Sequence, residues 1–354
     1  MKYLHLNSAL FFIISNGKIY AWDYLNHNQF EIEEPYFKRL LEVSEGVSVK
    51  SSALDQELLE SQLVSAEPSV LHWGWDDLSK IFHHGTKIKG EEGHADPEAF
   101  IKDYYALCEG LDEAPVDSQV DILLLKPEKF LTMDQSLYES LNERKTSRVF
   151  DEARLDFQRF NELLFLAGAY LEDDFDEYKK IGLARVGRRR TSPSAGGLQS
   201  TEIYIVANNI ENVDRGLYYY NPAVHGLKKI SALQENKDFL APLLCGQYFA
   251  ENAALGVFFT LRLDQAWKKY PHSRAYRAAL LDVGHLSQTF QLVGTALSVN
   301  TWLTGIFDDY AVEKFLKIND VSEQPIFFNA FGFGNKTSID IITSEKLSQR
   351  SHEA

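Results

Sequence analysis

The chain is poor in cysteine: it has two in 354 residues, Cys108 and Cys245, far apart in sequence. No disulfide framework or Cys-rich zinc site can be read from them. Long apolar runs are also missing. No stretch approaches the roughly 18 apolar residues of a spanning helix. The N-terminal run from Ala9 to Ile14 is too short for a secretory core and leads directly into Ser15, Asn16 and Gly17. A soluble, cytoplasmic protein without membrane contact is therefore expected. Positive charge is scarce, with 36 Lys and Arg against 51 Asp and Glu and a net charge of −15. That balance argues against binding nucleic acid through bulk electrostatics. Internal repeats and low-complexity segments are absent. Apolar and aromatic side chains are abundant: 45% of residues are hydrophobic, with 23 Phe and 17 Tyr. They suffice for a core and for a flat-ligand pocket.

Three organisational regions are legible. In "ALFFIISNGKIYAWDY", β-rich runs flank Asn16-Gly17, the preferred pair for a type I′ hairpin turn. Helical periodicity follows over 34–46 and 53–65. A hairpin followed by short helices predicts a small winged-helix-like module over residues 1–85, and the acidic balance favours a peptide as its partner. Residues 86–135 read as a connector, with "DILLLKPEKF" extended as far as Pro127. From 136 onward the pattern is more regular. Helices are predicted over 157–171 and 273–298, and strands over 201–208, 215–222 and 325–334.

Several segments carry possible chemistry. "ERKTSRVF" places Arg144, Lys145, Thr146 and Arg148 within five residues, a set able to hold a dianionic phosphate or to form a salt-bridged loop with Glu143 and Asp151. "RRRTSPSAGG" (188–197) sets three cations beside a turn of small residues, which lets backbone N–H groups approach an anion. A solvated basic loop is the other reading. In "WKKYPHSR", Lys269 adjoins Tyr270, and an ammonium beside a phenol lowers the phenol's pKa. The same pair also reads as a surface charge next to a half-buried aromatic. Gly284, inside a helical stretch, marks close approach of a ligand or another helix. Gly305 precedes Ile306 where backbone could meet a flat ring. His72, His83, His84 and His94 match no common ligand spacing, so no metal is expected. "GFGNKT" lacks the Gly-Lys-Thr adjacency of a P-loop.

Taken in order, "ERKTSRVF", "RRTSPSAGGLQSTEIYIV", "RGLYYYNPAVHGLKKI", "KYPHSRAYRAALLDVGHLSQ" and "TGIFDD" resemble the nitroreductase superfamily. More narrowly they resemble the SagB-type dehydrogenases, flavin enzymes that oxidise azoline rings in ribosomally made peptides (RiPPs). The resemblance covers about residues 136–334. It implies an α+β, nitroreductase-like fold with a central mixed β-sheet flanked by helices, spanning 136–354. It also implies bound FMN and a homodimer with the flavin at the subunit interface. Arg144, Lys145, Thr146 and Arg148 match the phosphate-holding segment. Pro193, Ser194, Ala195 and Gly196 match the loop lining the isoalloxazine, with Arg190 assisting. Gly305 and Ile306 match the backbone near flavin N5, and Lys269 and Tyr270 match the catalytic pair. Gly197 stands where many nitroreductases carry asparagine, a difference shared by the SagB-like branch. After Gly334, Lys336 and Lys346 are the basic candidates.

The implied reaction aromatises a thiazoline or oxazoline by removing two electrons and two protons. Tyr270 is the expected base and Lys269 its partner, with hydride passing to flavin N5 and a cyclodehydratase as possible partner enzyme. Two alternatives remain open. One is an NAD(P)H-dependent nitro or quinone reductase. The other is a catalytically silent, leader-peptide-binding scaffold subunit.

Overall fold

A computed structural model of the chain describes all residues except 1–2, 49–51, 69–71, 89–95, 110–118, 172–174, 181, 184–187, 234–238, 319–320 and 353–354. Contacts divide it into two compact units, residues 1–91 and 92–354.

In the first unit, β1 (His5–Leu6), β2 (Leu10–Ser15), β3 (Lys18–Asp23) and β4 (Asn28–Ile32) precede α1 (Glu34–Ser44), α2 (Ala53–Glu60), β5 (Val64–Ser65) and α3 (Asp77–Gly85). Strands β2, β3 and β4 form an antiparallel meander, and β1 pairs with β5. The β2–β3 turn has φ 52° at Asn16 and φ 73° at Gly17, the two positive values a type I′ turn requires. The predicted helix over 53–65 ends at Glu60, because Gln62 turns through φ 60° and Val64 then joins β1. Ala21, Leu40, Val43, Leu58 and Val64 form the core. Buried Arg39 holds the Asp55 carboxylate through two donors, Nε at 2.5 Å and Nη2 at 3.2 Å, tying α1 to α2.

The second unit begins with α4 (Pro97–Glu109), β6 (Ile122–Leu123), α5 (Leu137–Glu143), α6 (Phe157–Gly168) and α7 (Phe175–Lys180). It continues through β7 (Thr201–Ala207), β8 (Gly216–Asn221), β9 (Gly226–Ala232), α8 (Leu240–Leu243), β10 (Leu255–Arg262), α9 (Leu263–Lys269) and α10 (Arg274–Ala296). β11 (Asn300–Thr304), α11 (Asp309–Leu316), β12 (Glu323–Gly332) and α12 (Ile341–His352) complete it. The seven-stranded sheet has the order β11-β12-β10-β7-β8-β9-β6. Its named strands pair antiparallel, and the parallel component is confined to the isolated bridges Thr146–Thr301 and Leu155–Ile210.

Helices α6 and α10 cover one face of the sheet with Phe160, Leu164, Leu286 and Phe290. Leu240, Val312 and Leu316 cover the other face, against Phe258 and Trp302. The 23 residues of α10 are mostly apolar, but its Ser287 hydroxyl donates to Asn329 Oδ1 at 2.9 Å, pinning the helix to β12. Gly294 lets α10 approach the ring of Phe331, where a Cβ would come within 3.1 Å. Gly284 has no such neighbour: a Cβ there would meet nothing within 4 Å, so the expected close approach is not made in this chain.

Candidate functional site

Two groups of the predicted site residues gather on α10. The first is the loop at 193–197. Ser194 is extended (φ −139°, ψ 141°), and Gly196 and Gly197 then turn left-handed at φ 59° and 69°. Both the Ser194 hydroxyl and the Ala195 N–H donate to Asp282 Oδ2, each at 2.8 Å. The loop's donors therefore meet an anion, and that anion is the protein's own carboxylate on α10. Burial pushes the Asp282 carboxyl upward, and the two hydrogen bonds oppose that shift.

Lys269 and Tyr270 close over this loop. Residues i and i+1 of a helix do not face one another, but α9 ends at Lys269, and Tyr270 leaves it with φ −125° and ψ 84°. Both side chains then reach Gly196. Lys269 Nζ donates to the Gly196 carbonyl at 3.0 Å. A Cβ at Gly196 would collide with the Tyr270 hydroxyl and lie 2.9 Å from Nζ. Lys269 is wholly buried, so the surface-charge reading fails.

The expected lowering of the Tyr270 pKa is also reversed. Burial pushes the phenol up, with Cys108 and Asp282 adding to the effect. Burial away from water disfavours the charged phenolate, which raises the pKa. Beside Tyr270 lies a mostly apolar cleft of about 370 Å³, lined by Leu263, Ala266, Trp267, Pro271 and Tyr276 among others.

The second group surrounds Arg144. Arg144 caps the end of α5, is half-buried, and makes one long hydrogen bond, 3.5 Å to Gln291 Oε1 on α10. Lys145 is exposed. Thr146 bridges Thr301, and the Ser147 N–H donates to the Thr301 carbonyl at 2.8 Å, which aligns this segment with β11. Buried Thr301 Oγ1 has no partner. Arg148 points elsewhere: it donates to the Ser338 carbonyl at 2.6 Å and lies over the Phe249 ring. Past the end of β11, Gly305 and Ile306 are exposed, and the Ile306 N–H donates to Thr304 Oγ1 at 2.9 Å. Arg144, Lys145 and Thr146 thus have the donor chemistry a phosphate needs.

Arg190 stands apart from both groups. At 3% exposure it donates to the carbonyls of Gly168 and Thr201, stacks on Tyr170, and keeps one buried nitrogen, Nη2, unpartnered. Arg188 lies over the same Tyr170 ring. Asp282 and Tyr104 were not singled out from sequence. An acid on the buried face of an apolar helix was the available signal for Asp282. Tyr104 gave none.

Among the described residues, no group of His, Cys, Asp and Glu is placed to hold a metal, and no helix is long and apolar enough to cross a membrane.

The nitroreductase family profile matches residues 141–333, more than half of the chain. The nitroreductase-like protein MJ1384 of Methanocaldococcus jannaschii is 26% identical over 184 residues, which is 52% of this chain and 85% of that protein. The microcin B17-processing protein McbC of Escherichia coli is 26% identical over 153 residues, or 41% of this chain and 54% of McbC. A solved nitroreductase-like protein of Anabaena variabilis superposes with a TM-score of 0.55 at 23% identity, covering 76% of this chain and 50% of that one. The chain thus spans about half the length of the latter two proteins, and the last likeness is one of fold.

Proposed function

The chain belongs to the nitroreductase family, and from that premise we propose an FMN-dependent dehydrogenase that converts thiazoline or oxazoline rings of a peptide to thiazole or oxazole. The observation carrying this reading is the convergence of buried Lys269 and Tyr270 on Gly196. A reductase fed by a nicotinamide needs the flavin but not a proton-handling pair at the ring. McbC, a microcin B17-processing protein, supports a peptide as the substrate class.

FMN, when bound, would supply the two-electron acceptor. Arg144, Lys145 and Thr146 would hold its phosphate, and Arg148 steadies the segment through Ser338. Pro193, Ser194, Ala195 and Gly196, with Gly305 and Ile306, would hold its ring. Arg190 supports the loop from within. Tyr270 handles the proton on the ring carbon next to the carbonyl and imine. It is neutral at rest and takes that proton only as the phenolate, its own proton having passed to solvent through the adjoining cleft, and Lys269 stabilises the phenolate so formed.

Asp282, which anchors Ser194, and Gln291, which meets Arg144, lie nine residues apart on α10, about 13 Å at 1.5 Å per residue. A homodimer with the flavin at the subunit interface completes this reading, as the family resemblance implies. Residues 1–85 serve as the peptide-binding module, and a cyclodehydratase supplies the azoline.

The visible spectrum of the purified protein and of its acid supernatant tests the cofactor, with a band near ~450 nm and released FMN expected. Anaerobic mixing then tests the substrate: an azoline peptide abolishes the band and NADPH does not. Rapid loss with NADPH alone overturns the peptide reading in favour of a nitro or quinone reductase. A colourless protein that refuses FMN leaves the peptide-binding scaffold.

A further inference from the structure

Helix α4 lies in the stretch read from sequence as a connector, yet it delivers Tyr104 to the buried lysine. Lys269 Nζ donates to the Tyr104 hydroxyl oxygen at 3.4 Å and stands 4.5 Å from the centroid of the Tyr104 ring, at its hydroxyl end. The Tyr270 ring is farther, at 5.4 Å. One turn along α4, buried Cys108 packs with Tyr104, Tyr270, Leu183 and Leu198 in a small apolar cluster. Burial pushes the Tyr104 phenol up to about 12, so its ring and hydroxyl stay neutral across physiological pH. A neutral phenol oxygen accepts a charge-assisted hydrogen bond from a desolvated ammonium, and the ring beneath it adds a weaker attraction.

We propose that Tyr104 is a positioning residue: its hydroxyl, by accepting from Nζ, holds the Lys269 ammonium over the Gly196 carbonyl, making α4 a wall of the acid/base pocket. The role of the Lys–Tyr pair rests on the function proposed above, but the positioning rests on these distances alone. Without that acceptor, Lys269 would lose the contact that keeps its four-carbon stem folded inward. Its ammonium would then no longer be fixed relative to Tyr270.

The test labels the full-length protein with acetic anhydride and follows acetylation of Lys269 by peptide mass spectrometry, normalised to exposed Lys38. Tyr104→Phe, which keeps the ring and removes the acceptor, is expected to speed labelling of Lys269 about tenfold over wild type, the lower end for a hydrogen bond to a charged group. Tyr104→Leu, which removes the ring as well, is expected to label at least as fast, with Tyr104→Met replacing it should that variant fail to fold. Labelling as slow in Tyr104→Phe as in wild type overturns the proposal, as does labelling as slow in the leucine or methionine variant. The assay uses neither flavin nor peptide, so its outcome stands whether or not azolines prove to be the substrate.

Discussion

Gly196 sits at φ 59°, and a Cβ there would press on the Tyr270 hydroxyl and come within 2.9 Å of Lys269 Nζ. Gly196→Ala therefore combines two effects of different size. The left-handed backbone costs an L-residue about 1–2 kcal/mol. The side-chain contacts are with the tips of a lysine and a tyrosine, which rotate away cheaply and add little to that cost. Gly246→Ala supplies the control, since Gly246 has φ 84° and nothing within 4 Å of its Cβ position. Both variants should melt about 2–8 °C below wild type, at roughly 2–4 °C per kcal/mol for a domain of this size. Only Gly196→Ala displaces the proposed proton-handling pair, and a misplacement near 1 Å costs about 10²-fold in turnover. Scanning calorimetry and azoline-peptide turnover, run on the same preparations, separate the terms. Gly196→Ala turnover within about threefold of wild type would refute the reasoning, as would an equal loss in Gly246→Ala.

Two further outcomes follow from the site. Burial raises the Tyr270 pKa above its ordinary value, so below that value the phenolate fraction grows about tenfold per pH unit. If the phenolate is the base, the rate of flavin reduction by the peptide in stopped flow climbs with a slope of about one between pH 7 and 9; a flat profile would make Tyr270 a hydrogen-bond donor instead. Arg144→Ala should weaken FMN binding about 10- to 100-fold by fluorescence titration, the range for a charge-assisted contact. Arg148→Ala, whose guanidinium is committed to Ser338 and Phe249, should weaken it less. Equal losses would return Arg148 to the phosphate.

What could be read from sequence was what local chemistry decides. Asn16-Gly17 specified its hairpin, and the apolar periodicity over 157–171 and 273–298 specified α6 and α10, which end a few residues inside those bounds. Strand β10 was not named, because a short, continuous apolar run such as "ALGVFFTL" gives helix and strand equal claim. The order of the site motifs carried the family, since each motif is short but the set is long. Burial was the term that local reading lacked. Lys269 beside Tyr270 in sequence argued for a lowered phenol pKa, yet in the fold desolvation is the largest influence and its sign is opposite. The same blindness hid Tyr104, which is 165 residues from the lysine it touches and lies in a stretch without motif or strong pattern. A pair of adjacent residues becomes a site only when the chain stops being helical between them and distant elements close around both. Here the end of α9, the glycine turn at 196 and α4 meet that condition together. The acid/base properties of Tyr270 therefore belong to this assembly, not to the Lys-Tyr dipeptide.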